Sequence, residues 1–125
     1  MNQVDRTRQE TRDTSVDLTY LSEITGGDQD FMNSIITTFV NETPKTIDKL
    51  LESSSQSDWW GVGQAAHQLK PSLQFIGLHH TLRQVKAIER NCKESIELTA
   101  IPSMVDSVVQ DIQQSIIELK TELSM

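Results

Sequence analysis

The residues with the clearest chemical potential lie in Ala65-Ala66-His67-Gln68-Leu69-Lys70-Pro71-Ser72-Leu73-Gln74-Phe75-Ile76-Gly77. Val62, Ala66, Leu69, Leu73 and Ile76 recur at helical spacing and define one apolar face. His67, Lys70, Pro71 and Gln74 fall at i, i+3, i+4 and i+7 on a neighbouring face. A neutral imidazole on that wetter face is a competent nucleophile open to a partner protein. A lysine one turn later can hold the charge of an anion. Together they suit the carriage of a phosphoryl group, a reaction that asks a protein for positioning more than for covalent work. A lone helical histidine is ordinarily a plain surface residue, and a lone lysine a solvated charge, so the weight rests on the surrounding pattern.

Other chemistries find less support. Cys92 is the single cysteine, so no intramolecular disulfide can form, and a reducing compartment is the simpler reading. Its thiol is expected to be half-buried. His79 and His80 are adjacent and point about 100° apart on a helix, a poor geometry for sharing one metal ion. There is no Glu-x-x-His pair, G-x-S-x-G, P-loop or G-x-G-x-x-G. No metal site and no cofactor of the chain's own is therefore expected. The formal net charge of −7 argues against a protein that coats nucleic acid. The early cations Arg6, Arg8 and Arg12 are interleaved with Asp5, Glu10 and Asp13 and form no basic arm. The first residues lack the apolar core of a secretory signal, and no run approaches ~18 apolar residues. A cytoplasmic protein without a membrane partner is expected. No nucleotide-dependent kinase is expected, because 125 residues leave no room for an ATP-binding domain.

The elements that must position His67 follow from periodicity. Residues 1–16 are polar and aperiodic and read as a disordered tail, leaving 17–125 as one domain. Asp17 is expected to cap a short helix that runs to about Thr25 and stops at Gly26-Gly27. Asp28 then caps a long helix with Phe31, Ile35, Phe39, Ile47, Leu50 and Leu51 as its stripe, and Pro44 is expected to kink it without ending it. Ser53-Ser54-Ser55-Gln56 reads as a loop. Ser57 or Asp58 caps the helix that carries His67, and Gly77 breaks it. One of Trp59 and Trp60 should pack on the core while the other edges a partner surface. Phe75 and Leu78 read as core or boundary residues. Leu78, Leu82, Val85 and Ile88 mark a helix over about 79–94, followed by a link over 95–99. Pro102 suits the first turn of a last helix striped by Ile101, Val105, Val108, Ile112, Leu119 and Leu123. Four long amphipathic helices with short loops fit an all-α, antiparallel up-down four-helix bundle with a short extra N-terminal helix.

The segment Ala-His-x-Leu-Lys-Pro-Ser…Gly over residues 66–77 resembles the motif of histidine-containing phosphotransfer (HPt) domains. Leu21-Ser22-Glu23-Ile24-Thr25-Gly26-Gly27-Asp28…Phe31…Phe39…Glu42-Thr43-Pro44 resembles that family's opening, as Asp58-Trp59 resembles the start of its motif helix. The resemblance implies a phosphorelay in which a receiver domain bearing phospho-aspartate docks, passes its phosphoryl group to His67, and a second receiver takes it. It implies an electrostatic role for Lys70, a helix-ending role for Gly77, and a possible histidine-orienting role for Glu89 on the next helix. Ser72 and Gln74 are candidate hydrogen-bond donors. The surface of Trp60, Gln64, Pro71, Ser72 and Gln74 would dock partners: response-regulator receivers and a sensor histidine kinase, often hybrid. The metal, Mg²⁺, would come with the receiver. The protein is expected to be a free-standing monomer with no kinase activity of its own. Pro71 departs from the family's usual glycine. It removes the donor that would pair with the His67 carbonyl, which predicts a local kink that leaves the ring exposed. Two other readings stay open: a receiver-docking module that is never phosphorylated, and a plain or self-associating helical scaffold.

Overall fold

The structure, a computed structural model, describes residues 16–123. The expected tail therefore lies, through Ser15, outside the described residues; Val16 already packs against the core. Five α-helices follow in order: α1 (Thr19–Ile24), α2 (Gln29–Ser55), α3 (Trp59–Ile76), α4 (His79–Glu94) and α5 (Ile101–Glu122), with a 3₁₀ turn at Leu98–Ala100 before α5. There is no strand among the described residues. Helices α2 to α5 form the four-helix bundle. α3 packs between α2 and α4, α5 closes the ring against the same two helices, and α1 lies on α3.

Local chemistry sets most boundaries. The Asp28 carboxylate accepts the Phe31 N–H at 3.2 Å and opens α2; Asp58 accepts the Gly61 N–H at 3.0 Å and opens α3. Asp17 acts one residue earlier than a true cap. Leu18 holds the N-cap position of α1, while the Asp17 carboxylate accepts the Thr19 N–H at 3.1 Å. Gly77 ends α3 with φ of 75°, and the Leu78 N–H returns to the Leu73 carbonyl at 3.0 Å. A side chain at Gly77 would collide with the Asp17 carbonyl oxygen, because the Asp17 N–H is bonded to the Ile76 carbonyl at 3.0 Å. The start of the domain is thus laid across the end of the motif helix.

Two expectations need correction. Ser53-Ser54-Ser55 are helical, and only Gln56 and Ser57 turn, the latter with φ of 54°. Serine costs a helix only a few tenths of a kcal/mol, so α2 continues until the left-handed Ser57 stops it. The stripe of α2 is rotated from the expected one: Met32, Ile36, Phe39, Val40, Thr43, Ile47 and Leu50 are buried, whereas Phe31 is 52% exposed and Leu51 lies at the surface. Pro44 and Pro71 both lie at exposed positions inside continuous helices, so Pro44 does not end α2, as expected, and the His67 ring one turn before Pro71 stays exposed. The core is aliphatic; Leu21, Ile36, Leu50, Leu73, Ile88 and Ile112 are among its fully buried side chains.

Candidate functional site

His67 lies midway along α3, on the part of its surface that neither α2 nor α4 covers. Ala66, Leu69 and Leu73 bury the opposite face and fix the helix's rotation about its axis. The imidazole keeps 63% of its surface exposed, and Pro71 one turn later is exposed as well.

Glu89 of α4 reaches across to this ring. Its Oε2 is 2.7 Å from His67 Nδ1, and its Oε1 is 2.7 Å from Lys70 Nζ. One carboxylate thus joins the two residues that α3 places a turn apart. The Lys70 ammonium beside Glu89 holds its carboxyl below the usual carboxylate range; the His67 bond acts in the same direction, and partial burial opposes both. An ionised carboxylate only accepts hydrogen bonds, so Nδ1 carries the ring proton and donates it. That leaves the lone pair on Nε2, at the exposed edge. Lys70 has three N–H donors and gives one direction to Glu89, so others remain for an anion beside the ring.

An open groove of about 690 Å³ adjoins the ring between α3 and α4. It is lined by Trp59, Trp60, Gly63, Gln64, His67, Glu89, Cys92, Lys93 and Ser95. Gly63 and Cys92 meet on its floor: a Cβ at Gly63 would stand 3.5 Å from Cys92 Cβ, in ordinary contact. Trp59 is half-buried against the core, and Trp60 is 77% exposed at the rim. Burial pushes the half-buried Cys92 thiol above its ordinary pKa.

The sequence-expected site residues divide by position. Trp60, Gln64, His67 and Glu89 share the groove, and Lys70 joins them through Glu89. Pro71 and Gln74 are exposed further along α3. Ser72, five residues from His67 and so about 140° around the helix, lines a separate groove against α2 with Ile35, Thr38 and Phe75. Gly77 is remote from the ring and serves the end of α3. His79 sits beside Asp17, with Nε2 3.3 Å from the carboxylate, away from the groove. Gly63, Cys92 and Lys93 are groove residues that sequence reasoning missed. The spacing of Lys93 one turn beyond Glu89 was the only available signal for any of them. Among the described residues, no group of three or more His, Cys, Asp or Glu is arranged to hold a metal ion, and no helix is long and apolar enough to cross a membrane.

Comparison with known proteins adds two findings. The family model of the Hpt domain matches residues 34–124, a stretch that contains His67, Lys70 and Glu89. The fold is similar to the crystal structure of histidine-containing phosphotransfer protein B (HptB) from Pseudomonas aeruginosa PAO1, with a TM-score of 0.76, 19% identity, and coverage of 86% of this chain and 92% of that one. At that identity the likeness speaks for the fold. No curated protein gave a significant match.

Proposed function

The chain belongs to the Hpt domain family, and from that premise we propose that it carries a phosphoryl group between receiver-domain aspartates on Nε2 of His67. The observation that carries this reading is the 2.7 Å contact between His67 Nδ1 and Glu89, which favours the tautomer with its proton on Nδ1 and its lone pair on Nε2.

In the forward step the Nε2 lone pair bonds to the phosphorus of a receiver's aspartyl phosphate. The acyl phosphate P–O bond breaks, and its electron pair leaves with the receiver's carboxylate. The ring keeps its proton on Nδ1 and becomes a positively charged phosphoimidazolium, opposite the Glu89 carboxylate. Lys70 offers its remaining donors to the phosphoryl oxygens. In the onward step a second receiver's carboxylate attacks phosphorus, the P–N bond breaks, and its electron pair returns to Nε2. No proton has to move at the reacting nitrogen in either direction. The chain serves as a carrier, phosphorylated by a partner rather than by nucleotide, and Mg²⁺ belongs to the receiver's side of the encounter. Its partners are receiver domains and a sensor histidine kinase, hybrid or otherwise, met one at a time by a monomer in the cytoplasm. The rim of Trp60, Gln64, Pro71 and Gln74 forms the ground on which they dock.

The test is transfer from a panel of phosphorylated receiver domains to wild type and to His67→Gln. Acid-labile, alkali-stable phosphate on wild type alone supports the carrier. Binding without transfer would favour a docking module instead.

A further inference from the structure

The exposed face of α4 carries Arg83, Lys86, Arg90 and Lys93. At 100° per residue these four fall within an arc of about 80° and span about 15 Å along the helix. The other Lys and Arg residues of 16–123 are Lys45, Lys49, Lys70 and Lys120, so half of the described cations lie on one strip of one helix. Only Glu89 and Glu94 oppose them within α4, in a chain whose formal net charge is −7. Lys45 is paired with Glu42 and Lys70 with Glu89, yet none of the four α4 cations forms an ion pair with a described carboxylate. All four are exposed. The strip also runs into the site, because Lys93 lines the groove that holds His67 and Glu89.

We infer that this strip is the electrostatic landing surface for the phosphorylated receiver, guiding it to His67 and favouring receivers with an acidic face beside their phospho-aspartate. The inference rests on the carrier reading. A phosphorylated side chain brings about −1.5 to −2 charge, and a partner so charged is repelled by an acidic protein unless the field reverses where it must land. Screening over ~8 Å at physiological salt means that the charges nearest the site decide the last stage of approach. The unpaired cations of a strip that reaches the His67 groove at Lys93 supply that reversal, and their effect falls on the association rate more than on the bound geometry.

The experiment compares two triple variants with equal change in net charge. One is Arg83→Gln, Lys86→Gln, Arg90→Gln, which leaves every groove residue intact. The other is Lys45→Gln, Lys49→Gln, Lys120→Gln. Rates of phosphoryl transfer from a phosphorylated receiver are measured at ~20 mM and ~500 mM salt, where steering is respectively strong and screened. The α4 variant should lose about tenfold in second-order rate at low salt, converge on wild type at high salt, and keep the same maximal rate at saturating receiver. The control should stay within about twofold of wild type. Convergence at high salt, with unchanged circular dichroism, certifies the fold. Equal slowing of both variants, or a deficit that salt does not remove, overturns the inference. So does unaltered transfer combined with loss of binding to phosphatidylserine vesicles or duplex DNA, which would assign the strip to a different anion. Failure of wild type to accept phosphate from any receiver overturns the carrier reading itself, and the inference with it.

Discussion

Glu89 is the residue on which the site turns, because it orients the imidazole and restrains Lys70 with one carboxylate. Glu89→Gln retains an acceptor for the Nδ1 proton but loses the charge that faces the phosphoimidazolium. Exchanging a charge-assisted bond for a neutral one should slow transfer about tenfold, and Glu89→Ala about a hundredfold, with His67 still the phosphorylated residue. Quenched-flow transfer rates would establish that order. Stability carries a related signature. The folded Glu89 carboxyl titrates below its ordinary 4.5, held there first by Lys70. Its contribution is therefore complete above that ordinary value and disappears as pH falls through the lowered one. Urea midpoints measured from about pH 6 down to about pH 3 should fall more steeply for wild type than for Glu89→Gln. His67 and Lys70 were legible in the sequence because both lie on one helix, where spacing alone sets their neighbourhood. The Lys70–Glu89 contact depends on the register of α3 against α4, which no local pattern encodes. The same reason hid the groove floor of Gly63 and Cys92.

At the scale of elements, α3 is held at both ends by single residues. Asp58→Ala removes its N-cap and should cost about 1 kcal/mol, loosening the first turn where Trp60 sits. Gly77→Ala should cost more, about 2 kcal/mol or beyond, since it combines an unfavourable backbone angle with a collision at Asp17. Thermal melts would rank the two, and both proteins should still transfer phosphate when folded, as neither residue touches the ring. Asp28, Asp58, Gly77 and Pro102 act through their own backbone or the next turn, so a sequence shows them directly. The rotation of α2 was not legible at its ends. Phe31 and Leu51 share helical spacing with core residues, yet packing against α3 and α5 turns Met32 inward in place of Phe31 and leaves Leu51 at the surface beside the buried, expected Leu50. Asp111 is the sharper omission: it lies in the buried face of α5, where the Thr81 hydroxyl reaches it at 3.4 Å, and nothing nearby in the chain marks it as interior.

The whole molecule is a bundle with an aliphatic core that keeps the His67 imidazole at its surface and distributes charge unequally around it. Four amphipathic stripes and short loops made that architecture readable, since a helix with one apolar stripe has few other ways to bury it. The α4 cations were open to the same reading, since Arg83, Lys86, Arg90 and Lys93 recur at helical spacing within the expected helix, but the net charge of −7 conceals them when taken as a sum. On the proposed carrier reading, partner choice falls to the surface: the groove beside His67, Trp60 at its rim, and the α4 cations. The decisive measurement is NMR of the ¹⁵N-histidine-labelled protein after transfer from a phosphorylated receiver, reading which ring nitrogen couples to phosphorus. Coupling at Nε2 of His67, with Nδ1 still protonated against Glu89, is the predicted result. Phosphorus on Nδ1, on His79 or His80, or on no histidine at all would contradict it.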